Sequence, residues 1–204
     1  MDPAREEADA SDYPSELLDL DPLRRTVLLG LSAGMVNLYR LLRRRRVSFG
    51  HGVIANHRLV IRGPGMVTVG DRANLYAFAG RTSLVTRTRS AEIRIGSNTR
   101  LNGSLLQADT LIDIGPDCII GQAHILDSDM HSLALDRRVN PGAHVRTAPV
   151  ILERNVWVSR GAAILPGVRI GEGSVIGYGS VVTGDVPPRV VAAGNPARVV
   201  RSLE

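Results

Sequence analysis

Lysine is absent from this chain: its 25 basic residues are all arginine, set against 20 acidic ones for a formal net charge of +5. Arginine grips phosphate with a planar fork, although GC-rich codon usage would produce the same bias. Without lysine little titrates between neutral pH and arginine, so the sequence pI of about 10.3 overstates the basicity. Aromatic residues make up only 3% of the chain. So modest a charge with so few stacking rings argues against a nucleic-acid partner. A single cysteine, Cys118, excludes an intrachain disulfide framework and fits a reducing, cytoplasmic setting. Long apolar runs are missing too. The N-terminal apolar segment is uncharged only from Thr26 to Tyr39, short of the roughly 20 residues a membrane span needs. No small-residue cleavage site follows it, so a signal peptide is not expected.

What is present is a period of six. From Leu152 the chain reads LERNVW-VSRGAA-ILPGVR-IGEGSV-IGYGSV-VTGDVP. Each unit begins with an aliphatic residue: Leu152, Val158, Ile164, Ile170, Ile176 and Val182. The fifth position is small or β-branched: Val156, Ala162, Val168, Ser174, Ser180 and Val186. Six matches neither the helical period nor a long alternating strand, and a sandwich would not hold one fixed spacing through successive units. Each unit therefore reads as a short strand and a turn. The first-position aliphatic points inward, and Pro166-Gly167, Glu172-Gly173 and Tyr178-Gly179 make the bends. Three units close a triangular coil, and each coil buries its aliphatics against the next. A narrow prism filled with Ile, Val and Leu has little room for rings, which suits the aromatic scarcity. Cys118 falls on a fifth position and is expected in the core.

Residues 1–46 read as a polar, acidic, poorly ordered start followed by an amphipathic helix. Asp21-Pro22 opens that helix, Leu28, Leu31, Met35, Leu38 and Leu42 form its stripe, and Arg43 to Arg46 close it. Gly30 and Gly34 are a small-xxx-small pair that admits another backbone. Two readings stay open for this helix. It packs on the prism or on a neighbouring subunit, or it makes peripheral contact with an anionic membrane. The repeat occupies 47–187. It is poor at first, with Ile54, Val60 and Val67 or Val69 inward, and irregular over Ser83 to Ser90. It is clear at 95–106, then slips by one before the units starting at Ile114, Ile120 and Leu126. Residues 132–149 break the pattern and read as an extruded loop. Residues 188–204 read as a turn at Asn195-Pro196 and a short tail.

These hexads resemble the hexapeptide-repeat acyltransferases, and DSDMHSL, a loop, APV and a regular run containing NVW resemble the sugar O-acetyltransferases of that family, the maltose and galactoside type. The likeness runs from about Ile95 to Arg201 and is strongest from Val150. It implies an all-β solenoid, a left-handed parallel β-helix, here preceded by the amphipathic α-helix; the handedness comes from the resemblance alone. It implies transfer of an acetyl or small acyl group from acetyl-CoA to a hydroxyl of a sugar or polysaccharide precursor, in a homotrimer, with no metal. His131 matches the base that deprotonates the acceptor. Asn102, Asp109, Asp127 and Asp129 are the acceptor-side candidates. Trp157, Arg160, Tyr178, Thr183, Arg198 and Arg201 match positions that meet CoA. The chain departs from the pattern at Ser132, where many relatives carry Pro, and at Gly184, where a basic residue is usual.

Other classes are weaker. N-acylation of an amino sugar needs the same base. Zinc-dependent carbonic anhydrases of this shape pair two His five residues apart, and His51, His57, His124, His131 and His144 offer no such pair. A non-catalytic scaffold, with His131 a surface or capping residue, is the remaining class. No Ser-His-Asp arrangement or reactive cysteine points to an acyl-enzyme, so direct transfer is expected.

Overall fold

The computed structural model describes residues 21–43, 46–142 and 145–204; the expectation for residues 1–20 lies outside them. The chain is a left-handed parallel β-helix of triangular section with one short helix at its N-terminal end among the described residues. The first face stacks Val47–Phe49, Met66–Val69, Glu92–Ile95, Leu111–Ile114, Val150–Leu152 and Arg169–Ile170. The second begins with Ile54–Ala55, passes through Arg100–Leu101, Ile119–Ile120 and Trp157–Val158, and ends with Val190–Gly194 and Ala197–Ser202. The third runs from Leu59–Arg62 through Thr82–Thr86, Leu105–Ala108, His124–Leu126 and Ala163–Ile164 to Val181–Val182.

Like side chains stack along the axis. Ile114 lies in register with Leu152, and Leu152 with Ile170; Leu106 with Ile125, and Ile125 with Ile164. All of these are buried. Each such side chain contributes about 1.5–3 kcal/mol of transfer free energy. The fifth-position residues are buried as well, Cys118 included. Ser174 and Ser180 survive there because their hydroxyls accept the N–H groups of Val190 and Gly194. Gly167 takes a left-handed φ of 84° at a corner, a conformation glycine adopts without strain. Asn155, two hexads earlier at another corner, does so at 56°.

Several local expectations are corrected. Ile54 and Val60 face outward, while Val53, Ala55, Leu59 and Ile61 fill the core, and Val67 and Val69 both point inward. The early coils use longer strands with two inward residues each, so a strict six-residue frame misplaces them by one. Ser83 to Ser90 is not irregular throughout: Thr82–Thr86 is a paired strand whose buried Thr82 and Thr86 hide the alternation. Those hydroxyls accept the Gly103 and Gly65 N–H groups. Leu126 is not inward; Ile125 takes that place. The turn at Gly121 to Ala123 is one residue shorter than the turn at Ser159 to Ala162, which displaces the frame. Residues 188–204 form more than a tail: Val190–Gly194 extends the second face and pairs antiparallel with Ala197–Ser202.

The helix α1 (Pro22–Arg43) is capped by Asp21, whose carboxylate accepts the Leu23 and Arg24 N–H groups. It lies over the first coil. Ser32 Oγ accepts the Ala55 N–H, Tyr39 donates to the Leu59 carbonyl, and Val36 is buried. The expected stripe is divided by this seating. Leu28 and Met35 are half-buried, whereas Leu31, Leu38 and Leu42 are exposed.

Candidate functional site

Three corners join the three faces, and the candidate residues gather at two of them. At the corner between the third and first faces, the strand ending at Leu126 gives way to the extruded loop. A short stem roots that loop: the Asp129 N–H donates to the Arg146 carbonyl, and the Ala148 N–H to the Asp127 carbonyl. Met130 takes a left-handed φ of 66°, its N–H held by Ser128 Oγ, and turns the chain just before His131. His131 is exposed and lines a cleft of about 390 Å³ with Arg87, Asp109, Met130, Val145 and Thr147.

Asp127 is corrected from an acceptor contact to a framework residue. It is fully buried, and its carboxylate accepts the N–H groups of Asp109, Thr110 and Leu111 and the Thr110 hydroxyl, all at 2.7–2.8 Å. With no exposed surface it cannot reach an acceptor in solvent. The turn it fixes presents Asp109. Asp109 Oδ1 is buried without a hydrogen-bond partner, and the Arg87 Nε lies 3.4 Å away. Ion-paired but without a hydrogen bond, that buried oxygen keeps acceptor capacity for a further donor. Asp129 is half-buried at the loop root and accepts the His131 N–H through its backbone carbonyl.

The corner between the second and third faces carries Asn102, Arg160 and Tyr178. Arg160 and Tyr178 are exposed one coil apart. Trp157 stands half-exposed on the second face and borders a cleft of about 260 Å³ with Tyr76, Phe78, Arg100 and Asn102. Asn102 Oδ1 accepts the Phe78 N–H there. Arg198 and Arg201 lie on the outermost strand of this same face. Thr183 does not join them, because it follows Val181–Val182 at the His131 corner. Within one chain, then, His131 and Asp109 are separated from Asn102, Trp157, Arg160 and Tyr178 by the width of the third face. Gly121 to Asp127 bridges that width, about 20 Å for an extended segment.

Arg87, Tyr76, Phe78 and Arg100 escaped the sequence reading. The aromatic scarcity was a usable signal: three of the chain's seven rings, Tyr76, Phe78 and Trp157, line one cleft. Arg87 carried no such mark, since its importance arises from stacking beside Asp109 one coil on. Among the described residues no group of three His, Cys, Asp or Glu converges. His51 faces Asp71, and His57 lines the groove behind α1. Cys118 is confined, its Sγ 3.1 Å from the Glu153 carbonyl, and burial pushes the thiol up to about 11.

Residues 149–184 match the family described as bacterial transferase hexapeptide (six repeats). The chain carries the hexapeptide repeat of bacterial transferases. It is 39% identical over 114 residues to the galactoside O-acetyltransferase of Escherichia coli, covering 55% of each protein. It is 38% identical over 112 residues to the enzyme of that name from Lactococcus lactis, covering 54% of this chain and 53% of that one. The chain thus spans about half the length of the curated relatives it matches. Among solved structures, a galactoside acetyltransferase in complex with coenzyme A superposes with a TM-score of 0.57 at 25% identity, over 95% of this chain and 85% of that one. An N-acyltransferase from Bacillus cereus, in complex with dTDP and coenzyme A, shares the fold at 22% identity and a TM-score of 0.59, over 81% and 88% of the two chains.

Proposed function

We propose that this hexapeptide-repeat protein moves an acetyl or other small acyl group from acetyl-CoA to a hydroxyl of a sugar or polysaccharide precursor, with His131 as general base. The observation that carries the reading is the exposed imidazole in a cleft beside the Asp109 carboxylate, whose Oδ1 is ion-paired with Arg87 but lacks a hydrogen bond, in a chain 39% identical over 114 residues to a galactoside O-acetyltransferase. A neutral imidazole can take the acceptor's proton as its oxygen attacks the thioester carbonyl. The imidazolium then returns that proton to the departing thiolate, so the base is restored and free CoA leaves. Asp109 and Asp129 hold acceptor hydroxyls. Trp157, Arg160, Tyr178, Arg198 and Arg201 form the donor face, the arginines meeting phosphate oxygens through charged hydrogen bonds.

Because those two groups occupy different corners of a prism, the working site combines the His131 corner of one chain with the donor face of its neighbour. Closed cyclic assembly supplies that arrangement, and a homotrimer is the form proposed.

Thiol release from acetyl-CoA with a panel of sugar and amino-sugar acceptors tests this. A hydroxyl acceptor should drive turnover, and His131→Ala should lower it about 10²–10⁴-fold with CoA binding retained. Retention of more than about a tenth of the turnover, outside the usual effect of a lost base, would remove His131 from the mechanism. Turnover on amino sugars alone would make the reaction N-acylation.

A further inference from the structure

Helix α1 is apolar on two sides, and among the described residues only one of them is covered. Ser32, Met35, Val36 and Tyr39 face the first coil. On the other side Leu23, Val27, Leu31, Leu38, Leu41 and Leu42 expose 52–74% of their surface. At about 100° per residue these six fall within one arc of about 100°. Gly34 lies within the same arc and Gly30 at its border, and a Cβ built on either would meet no atom within 4 Å. A run of apolar residues of this kind on one helix face marks an interaction surface rather than scattered exposure.

Charge identifies the occupant. Residues 22–46 hold seven arginines and no acidic residue. Elsewhere four arginines pair with carboxylates: Arg94 with Glu92 and Asp113, Arg154 with Asp117, Arg169 with Glu153, Arg87 with Asp109. Among the described side chains of this segment, Arg24 has an acidic neighbour, Asp21 at the helix cap. Pairing with a second copy of so basic a helix would set like charges together. The chain's own acidic segment 1–20 has its leucines at 17, 18 and 20. Five extended residues reach at most ~18 Å, too little to cover Leu38 to Leu42 at the far end of a helix about 33 Å long. A bilayer surface rich in anionic lipid meets both requirements. It takes the leucines among its acyl chains and the arginines at its headgroups.

We propose that the outer face of α1 docks this protein on an anionic membrane surface, the helix lying in the interface with Leu23, Val27, Leu31, Leu38, Leu41 and Leu42 inserted. Among the described residues no helix is long and apolar enough to cross a membrane, and the contact proposed is peripheral. Because α1 lies over the first coil, the prism would stand on the bilayer by its N-terminal end. This inference stands apart from the acyltransfer reading, and its readout does not involve activity.

The full chain is floated with vesicles of phosphatidylcholine alone and of phosphatidylcholine mixed with phosphatidylglycerol, beside two variants. One carries Leu38→Gln and Leu41→Gln; the other replaces Arg43, Arg44, Arg45 and Arg46 by Gln. Melting curves confirm that the prism is retained. The wild-type chain should partition onto the mixed vesicles and not the neutral ones. The leucine variant should lose about tenfold or more in partition, and the arginine variant about a hundredfold or more. Equal retention on both vesicle types, or undiminished binding by the leucine variant, would overturn the proposal. So would a leucine variant whose assembly mass changes while wild type ignores vesicles, since the face would then belong to a second copy. Binding that emerges only after residues 1–20 are removed would equally overturn it, in favour of that segment as the occupant.

Discussion

His131 and Cys118 show how position decides what a reactive side chain can do. Both are groups that chemistry could use, and the fold puts one in an open cleft and the other in the core. His131 follows a left-handed residue at the root of a loop, so its imidazole is available to a substrate. Cys118 fills a fifth position, and burial raises its thiol from an ordinary value of 9.0 to about 11. It is thiol rather than thiolate at neutral pH and no nucleophile. The raised value fixes the sign of a pH effect. The folded protein favours the neutral thiol, so this contribution is complete below pH 9 and is lost as pH rises through 9 to about 11. Urea melts across that window should show stability falling, and Cys118→Ala should flatten the fall. At neutral pH the same variant should cost about 1–2 kcal/mol from its small cavity and keep most of its turnover.

At the scale of an element, the turn around Asp127 links fold to site. One buried carboxylate accepts three backbone N–H groups and a hydroxyl from the coil below, and its own chain continues into the loop that carries His131. Asp127→Ala would leave those buried donors unpaired, at about 1–3 kcal/mol for each. Denaturant melts should register a loss of at least about 3 kcal/mol. Turnover should fall further than stability explains, because Asp109 and the loop root shift together; unchanged turnover in the folded variant would separate the turn from the site. The helix teaches a related point. Its cap at Asp21 was legible, since Asp before Pro is a local signal. Which side of it packs was not, because apolar residues occur on two sides and only the first coil selects between them.

For the whole molecule, the governing fact is that a prism offers flat faces and separated corners. His131 and the Trp157 face do not meet within one chain, so the proposed reaction requires a neighbour. Complementation tests this directly. His131→Ala and Trp157→Asp chains, each inactive alone, should regain activity when unfolded and refolded together. Random cyclic assembly gives about a quarter of the sites one intact half from each variant. A mixture as inactive as its parts would place the whole site on one chain.

From the sequence came the repeat, the buried first and fifth positions, the placement of Cys118 in the core and the loop with His131 at its start. All of these follow from local periodicity, because in a solenoid each coil sees only its neighbours and a pattern six residues long already states the contact. The tertiary structure decided the rest. Backbone pairing set the true register: longer strands displace the six-residue frame in the early coils, and a shorter turn at Gly121 displaces it before His124–Leu126. Stacking brought Arg87 beside Asp109 and turned Asp127 inward to the framework, since those neighbours lie 16 to 22 residues away along the chain. It also divided the candidate residues between two corners, because a triangular coil assigns each side chain to a face by counting turns, a quantity no single hexad contains.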